Sequence, residues 1–215
     1  MSSHLTTCGI PGIGLVPYGI HLCHFYPSRQ DLLDGMKPYL LAGVANNERC
    51  IWIVSDPLPS SEVEIEIETV PELKRATKTG QLEILDARQW FGVPGTLTAS
   101  AVVDRCIAEE QRALADDYQG LRIATNTSGV TGQWTRLMEC ESTVHEQLKT
   151  RRIIMCCSYS TDLCRAVEML EIVRRHDATV ERDEDRWQVL LREHRNAVRD
   201  KYRYRPPESA DGATS

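Results

Sequence analysis

Several familiar signatures are missing from this 215-residue sequence, and each absence removes a class of function. There is no GxGxxG and no GxxxxGK[ST], so neither glycine-rich phosphate cradle is present, and without the lysine of the second motif ATP hydrolysis is not expected. There is no GxSxG, so nothing marks a nucleophile elbow, and no catalytic motif makes the chain an enzyme. No two of the eight cysteines form a CxxC pair. No signal peptide opens the chain, and no apolar run approaches the ~20 residues of a membrane span. Basic charge is also short: Lys and Arg number 25 against 31 Asp and Glu, a net charge of −6. The most basic run, Arg192 to Arg205, is broken by Glu193 and Asp200 and reads as a solvated helix face, not a nucleic-acid footprint. These absences predict a cytoplasmic protein with reduced thiols and no direct contact with nucleic acid or membrane.

What is there is a regular alternation. Strand-length apolar runs at Ile20–Tyr26, Cys50–Ser55, Leu82–Leu85, Leu121–Thr125 and Ile153–Tyr159 are separated by helical patterns at 29–45, about 61–79, 98–117, 133–149 and 161–176. Ser28 and Ser100 stand as caps. Runs such as Cys50-Ile51-Trp52-Ile53-Val54 are apolar on both faces, which predicts an α/β fold: a three-layer sandwich around a mostly parallel sheet. Glu62–Glu68 alternates like an exposed strand, but its place between two strands argues for a crossover helix. Residues 1–18, rich in Gly and Pro, read as an irregular lead packed on the domain. The α/β domain then runs over 19–182. Residues 183–205 read as a charged C-terminal helix with Trp187, Leu190, Leu191 and Val198 as its apolar stripe, and 206–215 as a disordered tail.

The first of these strands is chemically unusual. Side chains alternate along a strand, so His21, Cys23 and Phe25 share one face, and Leu22, His24 and Tyr26 the other. A core strand spent on His and Cys marks a site. Thiolate and imidazole suit a transition metal such as zinc, so His21, Cys23 and Cys157 form the candidate metal set, with His176 a further ligand. His24 faces away and is the weaker candidate. Cys156 and Cys157 point to opposite faces. Glu141 and His145 are spaced i,i+4 on a helix, which usually means a surface pair. In doubly wound sheets the ligand sits outside the carboxyl ends of the strands, so Cys23–Tyr26, Ser55-Asp56, Asp86–Trp90, Asn126–Ser128 and Cys157–Ser160 are the places to weigh.

Taken together the residues resemble one family. The lead Gly9-Ile10-Pro11-Gly12-Ile13-Gly14 with Pro17-Tyr18-Gly19, the HxCxFY run His21-x-Cys23-x-Phe25-Tyr26, Glu48-x-Cys50-Ile51-Trp52, Gly80-Gln81-Leu82, Gly120-Leu121-Arg122, Glu141, Cys157-Ser158-Tyr159 and His176 are similar, in order, to the MEDS domain, the methanogen/methylotroph, DcmR-type sensory domain. Ser160, where an acidic residue is expected, and Asp177, where proline is usual, depart from it. The resemblance implies a RecA-like fold without Walker motifs, and a non-enzymatic sensory role in signalling or transcription. It implies a small hydrocarbon derivative as ligand, with His21, Cys23, Phe25, Tyr26, Glu141, Cys157, Tyr159 and His176 as the contacts. A sensor without a fused output module would signal through a protein partner or as a homo-oligomer, with the C-terminal helix as the handle. The competing expectation is a thiol- or metal-based sensor using His21, Cys23 and Cys157.

Overall fold

A computed structural model describes residues 5–56, 58–91, 98–126, 134–183 and 186–191. Two short strands, β1 (Leu5–Thr7) and β2 (Leu15–Pro17), precede β3 (His21–Tyr26), α1 (Arg29–Ala45), β4 (Arg49–Val54), α2 (Ser60–Glu68), α3 (Pro71–Thr79) and β5 (Leu82–Asp86). There follow α4 (Ala87–Phe91), α5 (Ala99–Ala115), β6 (Leu121–Asn126), α6 (Trp134–Leu148), β7 (Ile153–Ser160), α7 (Ala166–Arg175), β8 (Ala178–Asp183) and β9 (Arg186–Leu191). The main sheet has the order β5-β4-β6-β7-β3-β8-β9 and is parallel throughout except for β9, which runs antiparallel to β8. Helices α1 to α3 cover one face and α4 to α7 the other. Every residue of β3, β6 and β7 is buried, as a parallel sheet with both faces covered requires.

The alternating Glu62–Glu68 segment lies in α2, as expected, because only the i,i+4 pair Val63 and Ile67 is needed inside, while Ile65 points out. Ser28 caps α1 by accepting the Asp31 N–H; α5 is capped by Thr98, not Ser100, through the Ala101 N–H. Only Pro27 and Ser28 separate β3 from α1, which leaves no room for a phosphate-binding loop.

Two further expectations need correction. The lead is not wholly irregular: β1 and β2 pair antiparallel, and Gly9 and Gly12 supply the left-handed turn residues at φ +90° and +84°. Cys8, Ile10 and Val16 are buried, so the lead does pack on the domain. Buried Arg122 pins it there, donating to the Thr7 carbonyl at 2.8 Å and to Cys8 at 2.5 Å, while its Nε meets Glu48 Oε2 at 2.6 Å. The second correction is at the carboxyl end. Arg186–Leu191 is strand, not the start of a helix, because Trp187 and Val189 turn inward two residues apart as β9 pairs along β8. Residues 192–205, the rest of the expected helix and oligomer handle, and the 206–215 tail lie outside the described residues.

Candidate functional site

The site grows from strand register. Cys23 lies opposite Cys157 and Phe25 opposite Tyr159 along the parallel β3–β7 pair, so the HxCxF and CxY runs share one face. Cys156 falls on the other face, with Leu22 and Tyr26. Onto the first face α6 brings Glu141 and His145, one turn apart, and α7 ends at His176. Both α6 residues are buried, which corrects the reading of them as a surface pair. They belong to the inward stripe Leu137, Glu141, Val144, His145, Leu148, spaced i, i+4, i+7, i+8, i+11.

Four donor atoms converge there. His21 Nε2 lies 3.4 Å from Cys157 Sγ and 3.3 Å from Glu141 Oε2, and His176 Nε2 lies 3.4 Å from the same Glu141 oxygen. The donor atoms of His21, Glu141, Cys157 and His176 all fall within 4.8 Å of one another. The two rings pack with centroids 4.0 Å apart. A tetrahedral zinc with bonds of about 2.0–2.3 Å needs ligand atoms about 3.3–3.7 Å apart, so the three contacts at 3.3–3.4 Å fit the ion. His176 is oriented for it: Nδ1 donates to the Ile172 carbonyl at 2.8 Å, which turns Nε2 toward Glu141. Tyr159 donates to the other carboxylate oxygen, Oε1, at 2.5 Å.

The electrostatics prepare the same set. Burial opposes ionisation of Glu141, yet hydrogen bonds from His176 and His21 outweigh it and hold the carboxyl well below the usual carboxylate range. Burial and the neighbouring His176 push His21 down to about 4, against the pull of Glu141, so its imidazole is neutral at pH 7. Burial, then Glu141, pushes the Cys157 thiol and the Tyr159 hydroxyl far up. A cation held there would have to displace the Cys157 proton.

Beside the donors lies a cavity of about 30 Å³, walled by Ile53, Trp90, Val102 and Leu137, with Cys140, Glu141 and Cys157 at one side. One water needs ~10–15 Å³, so a molecule of a few heavy atoms fits. Arg105 fixes the Trp90 wall: its guanidinium sits 4.5 Å over the indole ring and donates to the Gln89 and Trp90 carbonyls.

The structure thus brings together His21, Glu141, Cys157, Tyr159 and His176, with Phe25 against the Tyr159 ring at 6.0 Å. It does not bring Cys23 into the donor set. Its Sγ donates to Thr179 Oγ1 on β8 at 3.3 Å, and Glu141 takes the place expected of it beside His21, Cys157 and His176. Tyr26 is buried in the opposite layer. His24 is there too, 3.3 Å from the Ser158 hydroxyl and with its ring 5.7 Å from Trp187; burial lowers it to about 4. The cluster lies away from the carboxyl ends of the strands, because His21 opens β3, Cys157 sits within β7, and Glu141 and His176 come from α6 and the end of α7. At the strand ends Ser55 and Asn126 bond each other, and Thr127–Ser128 lie outside the described residues.

No helix among the described residues is long and apolar enough to cross a membrane. In structure the chain is similar to a KaiC-like protein from the hyperthermophilic archaeon Pyrococcus horikoshii OT3, with a TM-score of 0.59 over 88% of each chain at 12% identity. That likeness concerns the fold, a RecA-like mixed α/β architecture. No curated protein matches by sequence. The family described as MEDS, the methanogen/methylotroph, DcmR sensory domain, matches residues 20–177, a span that holds every residue of the donor cluster. The chain belongs to the MEDS family of sensory domains.

Proposed function

We propose that this sensory domain takes its input at the buried cluster: His21, Glu141, Cys157 and His176 hold a transition metal such as zinc. A small organic ligand, a hydrocarbon derivative of one or two carbons, enters the adjoining apolar cavity. The convergence of four donors within 4.8 Å carries this reading. When bound, the metal supplies a Lewis-acidic centre for the polar end of such a ligand. The chain's own residues do the rest. Tyr159 holds Glu141 by one oxygen so that the other faces the imidazoles; Ile172 holds His176; Trp90, Val102 and Leu137 exclude water from the cavity. The output, in signalling or transcription, passes to a protein partner or a second copy, and the reduced thiols suit the cytoplasm.

Elemental analysis of protein purified without chelator tests the centre. About one equivalent of metal is expected in the wild type and in Cys23→Ala, with loss in His21→Ala. A wild type that holds none, even after metal is offered, or a His21→Ala variant that keeps it, overturns the reading. A thermal-shift screen of one- and two-carbon compounds, run with and without metal, then tests the ligand; a shift that is equal in both arms separates direct binding from binding at the metal.

A further inference from the structure

The donors are almost sealed: His21 and His176 are wholly buried, and the Glu141 side chain is 6% exposed. A hydrated divalent cation that reaches them must shed water against protein ligands along a route. The cavity side offers none, since its walls are apolar and an unpaired charge crossing them meets a large desolvation cost. The other flank is different. The His145 ring lies 6.1 Å from the His21 ring, and its side chain is only 5% exposed. Its Nδ1 lies 3.8 Å from Asp177 Oδ2, and its Nε2 4.0 Å from Glu146 Oε1. Those carboxylates are 36% and 64% exposed, so exposure falls stepwise from Asp177 and Glu146, through His145, to the buried donors.

We infer that His145, with Asp177 as its outer carboxylate, is the port through which a divalent cation passes to the His21–Glu141–Cys157–His176 cluster. The inference rests on the metal reading above. Asp177 is the stronger outer partner, because Glu146 is also held by Lys149 at 2.8 Å. Asp177 is tied to the site as well: it accepts the His21 N–H at 2.9 Å and donates its own N–H to the His21 carbonyl at 2.8 Å. The same Asp177 oxygen stands 3.8 Å from the His145 imidazole, which places imidazole and carboxylate side by side at the edge of the cluster. His145 lies outside the group of four, which makes it a transfer residue rather than a resident ligand.

The test separates rate from affinity. Metal-stripped full-length chain is mixed with Co²⁺ in a stopped-flow instrument, uptake is followed by the cobalt–thiolate absorption, and Kd is set by chelator competition. His145→Phe, or the gentler His145→Gln should the first fail to fold, and Asp177→Asn are each expected to slow uptake and release alike by about tenfold, leaving Kd within about threefold. Unchanged rates in the His145 variants overturn the port. A Kd weakened ~10–100-fold at an unchanged uptake rate also overturns it, since that is how loss of an outer support for a ligand behaves. Absence of cobalt binding in the wild type removes the centre itself, a result distinct from all of these.

Discussion

Glu141→Gln separates the fold of the cluster from its capacity for metal. The carboxylate makes three contacts: Oε1 accepts from Tyr159 at 2.5 Å, and Oε2 faces His21 and His176 at 3.3 and 3.4 Å. A glutamine oxygen still accepts from Tyr159, and its NH₂ turns two donors toward the two Nε2 atoms, which are then acceptors. Three contacts survive and a buried charge disappears, so metal-free stability should change by no more than about 1 kcal/mol. Metal binding should not survive as well, because the amide offers nitrogen where the anionic oxygen stood. A ~100-fold loss of affinity removes about 2.7 kcal/mol of ligand-linked stabilisation. In a chain of this size 1 kcal/mol is worth about 2–4 °C, so about 5–10 °C of the metal-induced rise in Tm should vanish. Calorimetry with chelator and with excess Co²⁺ measures both quantities. The reasoning is refuted if Tm falls by that amount in chelator while the metal-induced rise matches the wild type, for then Glu141 only holds the fold.

Acid should weaken the protein. Burial pushes His21 and His24 down to about 4 in the fold from the ordinary 6.5, so the unfolded chain binds more protons between those limits and stability falls as pH drops. From about pH 7 to about pH 5 each histidine should remove about 2 kcal/mol, read by urea unfolding; His24→Gln should recover one share, and a flat profile would contradict the burial argument. Arg122→Met strands Glu48, both side chains being wholly buried, and should lose about 3–5 kcal/mol; adding Glu48→Gln should return part of it, and strict additivity in the unfolding energies would deny the pairing. Val102→Phe fills the cavity and should abolish thermal shifts caused by one- and two-carbon compounds while the metal content stays at one equivalent; a retained shift would place the ligand elsewhere.

The central strands and most helices were legible because fully buried parallel strands read as unbroken apolar runs, and α1, with its Ser28 cap, begins and ends where its pattern does. Alternation put His21 and Cys23 on one face, and register then carried Cys157 and Tyr159 beside them. The inward turn of Glu141 and His145 was written in the α6 stripe, but their polarity masked it: charged residues at core positions look like surface until a buried partner is known. Cys23 could not be assigned from face alone, since Thr179 on the next strand competes for its thiol. β9 was hidden because a two-residue inward alternation, Trp187 and Val189, is too short to outweigh a charged helical pattern, and only pairing with β8 decides it.

The placement of the cluster also bears on how a signal would leave it. His21 and Cys157 stand on adjacent strands of one sheet, where register fixes their separation. Glu141 and His176 arrive from α6 and from the end of α7, which can slide over the sheet by about an ångström or two at small cost. On the reading proposed, half of the donor set is rigid and half is movable, and the cavity lies between the sheet, α5 and α6. A ligand seated there presses on the same α6 that carries Glu141 and Leu137. Since donor geometry tolerates little displacement, cavity occupancy and metal affinity must then be linked, and the linkage is reciprocal: a compound that raises Co²⁺ affinity must itself bind more tightly when Co²⁺ is present, by the same factor. Titrating each against the other measures that factor, and two unequal factors, or a factor of one for a compound that Val102→Phe excludes, would break the argument that α6 joins them.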